Sequence, residues 1–308
     1  MSSLTLLQGE DPGPLRFESA SESIRNAYPG DDLLETVALV ITELGEDPAM
    51  ILILAVAFWL VDWDGIPTPA DRREIAALAG YVAAGVAVIL IVKAFFSLPR
   101  PPEEVWLVER DYDEYGFPSG HAFNAVLLYG GFVYVFDRWR RPAWLGVAFA
   151  LVVAIAFSRV VLGFHYVGDI IFGATLGLVF LLAMDRLCRR NPVYAFAGAT
   201  ALAVPALVLN PGESLAYIAL GAGIGGVLAA TRIDSLPPLS SRVEAAILVI
   251  GGFAFLIAVV VIHEAIAPDS RVAIVLAHVA IIGGVLLAPL GARQLDELRH
   301  SLLTSGES

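Results

Sequence analysis

The sequence predicts an all-α membrane protein, a polytopic bundle of helices that crosses the bilayer many times. Of its 308 residues, 57% are hydrophobic and only 16% are charged, and the mean hydropathy is +0.75. Soluble domains rarely contain so much apolar sequence. The apolar residues also form long runs separated by the charged residues. Each long run approaches the roughly 20 residues that a helix needs to cross a bilayer.

Nine such runs are predicted to span the membrane, with ten spans as the alternative. They cover residues 49–63, 73–98, 119–137, 142–161, 167–185, 193–209, 214–231, 244–265 and 271–292. The stretch 33–46 has apolar residues at helical spacing, which indicates an amphipathic helix in the membrane interface or else the tenth span. Residues 221–226 match the glycine pattern of dinucleotide-binding loops, but no strand precedes them. Their small side chains instead predict close packing between helices.

The distribution of arginines predicts the orientation in the membrane. One set of loops contains 12 of the 18 arginines, and the positive-inside rule makes these loops cytoplasmic. They are Arg72, Arg73, Arg138, Arg140, Arg141, Arg186, Arg189, Arg190, Arg232, Arg242, Arg293 and Arg299. The opposite loops are acidic, as at residues 103–104 and 109–114. We therefore expect a multi-pass protein of the cell membrane with residues 293–308 as a cytoplasmic tail.

The charge balance excludes some classes of protein. The formal net charge is −12, so the basic face that nucleic-acid binding needs is missing. One lysine accompanies 18 arginines. An acidic, lysine-poor surface suits high salt, where like-charge repulsion is screened, so we hypothesise a halophilic source, with GC-biased codon usage as the alternative. The single cysteine, Cys188, cannot form an intrachain disulfide.

Two polar clusters lie between the second and third predicted spans, on the predicted outer side. In the first, Lys93 lies near a span end, and Arg100 follows just beyond the helix-ending Pro99. A lysine here can extend to the lipid headgroups, but Lys93 is the only lysine in the chain. In the second, Ser119 is placed to cap the following helix. Gly120 lets an anion approach the first free backbone N–H groups of that helix.

Two histidines and an aspartate complete the pattern. His121 lies directly inside the predicted helix start. A third cluster, residues 158–169, contains Arg159, His165 and Asp169 between the fourth and fifth spans. The last two are four residues apart and share a face if the turn is helical. An aspartate bonded to one ring nitrogen fixes the tautomer and leaves the other nitrogen free to attack; a chance pair at this spacing is the alternative.

In chain order the clusters are Lys-x6-Arg-Pro, Pro-Ser-Gly-His and Ser-Arg-x5-His-x3-Asp. This order resembles the type 2 phosphatidic acid phosphatase superfamily, which also contains the vanadium-dependent haloperoxidases. Every motif position matches, and the resemblance covers residues 49–190. It implies a six-helix-type catalytic core over those residues, after a polar, acidic segment, 1–48. About four additional spans of unassigned role, 191–292, follow the core.

The resemblance also implies a role for each motif residue. His165 would attack phosphorus to form a phosphohistidine, Asp169 would orient it, and His121 would protonate the leaving alkoxide and later activate water. The phosphate-binding residues would be Lys93, Arg100, Ser119, Gly120 and Arg159. Phosphoryl transfer consists largely of positioning and of stabilising charge on the phosphoryl oxygens. Since these groups supply that charge, neither a metal nor another cofactor is expected.

We therefore expect a lipid phosphatase that acts at the outer face of the membrane. Its partners would be the surrounding membrane lipids and its substrate, which is a phosphatidate-like lipid, a polyprenyl diphosphate or a lipid-linked sugar phosphate. A phosphotransferase that passes the phosphoryl group to an alcohol is the alternative, and a haloperoxidase is disfavoured because those relatives are mainly soluble. A non-catalytic scaffold or transporter is disfavoured by the intact set of charged residues. The sequence leaves the oligomeric state open.

Overall fold

The computed structural model describes residues 14–27, 32–63, 71–110 and 115–305. Within these ranges the chain forms a bundle of twelve α-helices and no strand, which confirms the all-α prediction. The helices are α1 (Glu18–Ala27), α2 (Asp32–Glu43), α3 (Asp47–Leu60), α4 (Arg72–Phe96), α5 (Gly120–Ala125), α6 (Gly131–Val135), α7 (Pro142–Val161), α8 (Val167–Cys188), α9 (Pro192–Leu209), α10 (Ser214–Ala230), α11 (Arg242–Ile266) and α12 (Arg271–Ser305). Residues 111–114 of the predicted acidic loop lie outside the described ranges.

Every predicted span corresponds to a helix. Six helices are long and apolar enough to cross a membrane: α4, α7, α8, α9, α11 and α12. The runs 49–63 and 214–231 form the shorter apolar helices α3 and α10. The run 119–137 forms α5 and α6, which a π-helical turn, Val126–Gly130, joins without a break. The four apolar helices predicted after the core are α9 to α12.

The predicted C-terminal tail continues the last helix. The apolar run ends near residue 292, but α12 continues to Ser305. Hydropathy locates the end of a membrane span, not the end of a helix. The residues after 292 include Gln, Leu, Glu and Arg, all good helix formers, and no proline or glycine interrupts them before the helix ends.

The arginine-rich loops gather at one end of the bundle. Arg73 forms an ion pair with Asp234, which joins the start of α4 to the α10–α11 connection. Arg190, just after α8, forms an ion pair with Glu74 near the start of α4. Arg293 donates a hydrogen bond of 2.9 Å to Ser240 Oγ. The predicted grouping of these loops is thus present in the structure, while the side of the membrane that they face stays a prediction.

The four C-terminal helices pack onto the same bundle as the core. Helices α9 and α10 lie against α4, and α12 lies against α10 and α11. The predicted glycine contact is present, because a Cβ added to Gly221 or Gly225 of α10 would meet the carbonyl oxygens of Val275 and Val279 on α12 at 2.4 and 2.5 Å. Small residues therefore bring these two helices to backbone contact, as is common in membranes.

The N-terminal residues pack against α7 and the start of α8. Helix α2 covers 32–43 of the predicted amphipathic stretch and lies on α7 with Ala38 and Thr42 buried. Before α1, a 3₁₀ turn, Pro14–Arg16, reaches the first turn of α8. The predicted polar N-terminal segment is therefore part of the packed structure where it is described.

Candidate active site

An open cavity of about 970 Å³ lies at the end of the bundle opposite the arginine-rich loops. It is lined by six of the eight predicted site residues: Lys93, Arg100, Gly120, His121, Arg159 and His165. The other two, Ser119 and Asp169, are fully buried behind this wall. The structure therefore brings together three clusters that are spread over more than seventy positions of the sequence.

Helix ends position the three cations. Lys93 lies in the last turn of α4, and the chain leaves that helix at Ser97, which has a left-handed conformation with φ 49°. Arg100 follows on an extended stretch where Pro99 pairs with Tyr115. Arg159 lies near the end of α7, is 1% exposed, and donates a hydrogen bond of 2.9 Å from Nη1 to Thr42 Oγ1. Each cation is thus fixed by backbone that is itself packed.

A tight loop between α7 and α8 presents His165 to the cavity. Gly163 has φ +83°, and a Cβ there would meet the carbonyl oxygen of Val105 at 2.3 Å, so only glycine allows this close approach. The backbone N–H of His165 donates to the carbonyl of Arg159 at 3.2 Å. The imidazole and Arg159 therefore move as one unit.

The surroundings of His165 define its protonation. Its Nε2 atom lies 3.2 Å from Nη1 of Arg100, and its Nδ1 atom lies 3.4 Å from Oδ2 of Asp169. Because arginine only donates, Nε2 must accept, which leaves the proton on Nδ1 facing the carboxylate. Burial, followed by the charges of Arg100, Arg159 and Lys93, holds the pKa of His165 well below its ordinary value of 6.5. The ring is therefore neutral near pH 7, with the Nε2 lone pair on the cavity side.

His121 has an acidic partner that the motifs do not contain. Its Nε2 atom lies 3.0 Å from Oε1 of Glu46, in the connection between α2 and α3. Burial raises the pKa of Glu46, but the hydrogen bond and charge of His121, with the charges of Arg159 and Arg110, outweigh it and lower the pKa overall. Glu46 is therefore an anion that favours the protonated form of His121.

Ser119 has the predicted capping role. Its Oγ accepts from the backbone N–H of Ala122 at 3.4 Å, and its own N–H donates to the carbonyl of Asp169 at 3.1 Å. A Cβ on Gly173 of α8 would meet the carbonyl oxygen of Ser119 at 2.4 Å, so the glycine leaves room for this carbonyl. The serine thus docks the start of α5 on α8. Its predicted contact with phosphate stays a prediction, since its side chain does not line the cavity in the part of the chain that the structure describes.

The comparisons with known proteins agree with this geometry. Residues 74–191 match the model of the PAP2 superfamily. Over this segment, the chain is similar to members of the PAP2 superfamily. All three motifs lie within the matched residues, so the resemblance expected from the motifs is confirmed at the superfamily level.

Curated PAP2 relatives match the chain over part of their length. It is 33% identical over 118 residues to decaprenylphosphoryl-5-phosphoribose phosphatase of Mycobacterium tuberculosis, a match that covers 36% of this chain and 60% of that protein. It is 36% identical over 104 residues to lipid phosphate phosphatase delta of Arabidopsis thaliana, which covers 29% of this chain and 25% of that protein. It is also 29% identical over 125 residues to lipid A 4'-phosphatase of Porphyromonas gingivalis, covering 34% and 52%. The chain thus spans between a quarter and three fifths of the length of these relatives. No solved structure gives a significant match.

Residues outside the PAP2 segment also reach the site. Asp169 Oδ1 and Oδ2 accept hydrogen bonds of 2.8 Å from Nε and Nη2 of Arg16, which is 2% exposed. Glu46 and Asp47 line one side of the cavity, and Glu213 and Leu215, at the start of α10, line another. No local pattern in the sequence marks these residues as functional. Their role follows only from the packing of the N-terminal and C-terminal parts around the core.

The arrangement of donor side chains bears on whether the site could hold a metal ion. Across the ranges that the structure describes, no three His, Cys, Asp or Glu side chains form a group that could hold a metal ion. The two acidic side chains next to the histidines are instead paired, Asp169 with Arg16 and Glu46 with His121. The expectation that the reaction needs no metal stays a prediction.

Proposed function

We propose that this PAP2 protein is a membrane phosphatase that removes a phosphate from a lipid phosphate or a polyprenyl diphosphate through a phosphohistidine on His165. One observation carries the proposal: a neutral imidazole faces a cavity with three cations and is backed by a carboxylate. The names of the curated relatives, which include phosphatases of a decaprenyl-linked sugar phosphate and of lipid A, support a lipid substrate.

In the first step the three cations hold the phosphoryl oxygens and His165 attacks. Lys93, Arg100 and Arg159 offset the charge of a phosphate dianion and keep it in line with Nε2. The N–P bond forms as the P–O bond to the lipid breaks. Protonated His121 gives its proton to the departing alkoxide, or to the departing lipid phosphate of a diphosphate, and becomes neutral. The result is a phosphohistidine and a released lipid.

In the second step water replaces the histidine. Neutral His121 accepts a proton from the attacking water, the new P–O bond forms, and the N–P bond to His165 breaks. Phosphate leaves, and both histidines return to their starting protonation states. Glu46 lies where it stabilises the protonated form of His121, so that one residue serves as acid and then as base.

Phosphate release by the purified protein in detergent tests the proposal. The panel contains phosphatidate, a polyprenyl diphosphate and a lipid-linked sugar phosphate, and the His165→Ala protein is the control. We expect release that persists in EDTA and is inhibited by vanadate, which imitates the trigonal-bipyramidal phosphorus. Turnover that EDTA abolishes and magnesium restores would disprove the metal-free mechanism. Transfer of phosphate to an added alcohol in place of release would indicate a phosphotransferase.

Labelling of intact cells with an impermeant thiol reagent tests the proposed extracytoplasmic site. A cysteine replaces Glu104, exposed in the α4–α5 connection beside the cavity, in a background with Cys188→Ser. A second protein has the cysteine at Arg140, in the α6–α7 loop at the opposite end. We expect label at position 104 and none at 140 until the cells are opened. The reverse pattern would invert the orientation.

A further inference from the structure

An N-terminal strap, residues 14–27, lies across the start of α8 and places Arg16 against the aspartate behind the nucleophile. Nε and Nη2 of Arg16 each donate a hydrogen bond of 2.8 Å to Asp169, one to each carboxylate oxygen. Nη1 donates a third bond of 2.8 Å to the carbonyl of Pro99, the residue before Arg100. A single guanidinium thus ties the carboxylate behind His165 to the stretch that carries a phosphate-binding cation.

The surrounding residues are shaped to receive this strap. A Cβ on Gly168 would meet the carbonyl oxygen of Leu15 at 2.2 Å and Cα of Arg16 at 2.6 Å, so the glycine leaves the room that the strap occupies. Val167 lies in the first turn of α8, where backbone N–H groups have no partner within the helix. Its N–H donates instead to Ser21 Oγ at 3.0 Å. The guanidinium also lies 4.5 Å from the ring centre of Tyr166. Arg16 therefore lies in a buried pocket shaped for it, and not in a surface contact.

Asp169 needs a counter-charge that stays beside it when phosphate binds the other cations. Its side chain is 0% exposed, and a buried carboxylate is costly unless it is paired. The charged and titratable groups that face the His165–Asp169 pair are Arg16, Lys93, Arg100, His121, Arg159 and Tyr166. When the phosphate dianion binds, Lys93, Arg100 and Arg159 engage its oxygens. Arg16 does not line the cavity among the described residues, so its charge stays with the carboxylate throughout the reaction.

We propose that Arg16 is a positioning residue of the phosphoryl-transfer site, which supplies the counter-charge of Asp169 and fixes its carboxylate so that His165 keeps its proton on Nδ1. The inference rests on the proposed phosphohistidine mechanism. Without Arg16, the buried carboxylate takes up a proton more readily and no longer faces Nδ1 as an anion. The imidazole then populates the tautomer with a proton on Nε2, which cannot attack phosphorus.

Two replacements of Arg16 distinguish the effect of its charge from the effect of its hydrogen-bond geometry. For Arg16→Gln we expect kcat to fall roughly ten- to hundredfold, because two charge-assisted hydrogen bonds are lost. KM should change by less than about threefold, since phosphate does not touch this residue. The acid limb of the pH–kcat profile should move to higher pH, because the loss of a cation favours proton uptake by the pair. Arg16→Lys keeps the charge but not the two-pronged geometry, so kcat should fall while the acid limb stays in place.

Gly168→Ala provides a second route that leaves Arg16 in the chain. Its methyl group displaces the strap, so the variant should reproduce both the fall in kcat and the shifted limb of Arg16→Gln. The matched control is Arg73→Gln, which breaks an exposed arginine–aspartate pair at the other end of the bundle and should leave kcat and the pH profile unchanged. Folded protein is quantified by size-exclusion chromatography, so that kcat refers to folded molecules only.

The tautomer of His165 provides a readout that does not need turnover. Histidine-selective ¹⁵N labelling gives at most ten ring-nitrogen signals, two for each of the five histidines, and His165→Gln assigns the relevant pair. We expect Nδ1–H in the wild type and a mixture of tautomers in Arg16→Gln and Gly168→Ala. Unchanged tautomer, kcat and acid limb in both variants would overturn the role of Arg16 while leaving the proposed function intact. A wild type that releases no phosphate from any lipid would overturn the proposed function, and the tautomer would still report on Arg16.

Discussion

The PAP2 segment and the parts of the chain around it contribute to the same cavity in different ways. The segment 74–191 supplies the residues that would touch phosphate, and it does so from helix ends and one tight loop. The surrounding parts supply the partners of those residues: Arg16 for Asp169, Thr42 for Arg159 and Glu46 for His121. The C-terminal helices add Glu213 to the wall. The difference suggests that the segment carries the chemistry while its neighbours set protonation, orientation and access.

The largest loss of activity is expected when the proposed nucleophile, His165, is replaced inside the PAP2 segment. His165→Ala removes the imidazole that faces the three cations, so we expect no phosphoenzyme and turnover at background. Acid-quenched phosphohistidine, measured with labelled substrate, reads this directly. Asp169→Asn should lie between this variant and the wild type, because the imidazole remains but loses its orientation and counter-charge. Undiminished phosphoenzyme in His165→Ala would show that the roles of the histidines are assigned wrongly.

His121→Ala is expected to have the next largest effect. A general acid contributes roughly 10²–10⁴-fold when the leaving group is poor. With p-nitrophenyl phosphate, whose leaving group needs little protonation, the loss should be much smaller, and phosphoenzyme should accumulate because water activation is impaired. Rates with an alkyl phosphate and with p-nitrophenyl phosphate are compared on one preparation. Equal losses with both substrates would argue against His121 as the acid.

Glu46→Gln tests whether a residue outside the segment sets the protonation of one within it. A hydrogen bond to a charged group contributes about 1.5–3 kcal/mol, so the rate should fall roughly ten- to hundredfold. Because the amide no longer favours the imidazolium, the alkaline limb of the pH–rate profile should move to lower pH. Glu43→Gln, which removes an exposed ion pair with Arg110 nearby, is the matched control. An unmoved alkaline limb would mean that Glu46 is only a packing partner.

The smallest effect is expected from the C-terminal helices. Glu213 places a carboxylate on the wall of a cavity that receives an anion, so Glu213→Gln should lower KM by about two- to threefold in dilute buffer. The effect should vanish at high ionic strength, where the charges are screened. Glu264→Gln, an exposed carboxylate at the end of α11, serves as the control. A change in kcat instead of KM would give the C-terminal helices a larger part in the chemistry than the comparison allows.

The sequence predicts the helices well because each apolar run has the length of a membrane span. It misses the extension of α12 to Ser305, since hydropathy does not report where a polar helix ends. The motif residues can be found because each cluster is local. Arg16 and Glu46 cannot, because their partners lie 153 and 75 positions away. No periodicity in one chain indicates which distant loops meet, and the contacts of Arg16 and Glu46 are of this kind.

The contact between Arg16 and Asp169 also has a consequence for the number of membrane crossings. Two residues that touch at one end of a bundle must be separated by an even number of crossings. Between Arg16 and Asp169, four helical units run from one end of the bundle to the other: α3, α4, the continuous α5–α6 and α7. If α2 also crossed the bundle, the number of crossings would be odd. On the expectation that each of these units crosses the bilayer, this parity favours nine crossings over ten. It leaves the strap and the cavity on one side of the membrane, and the end of α12 with the arginine-rich loops on the other.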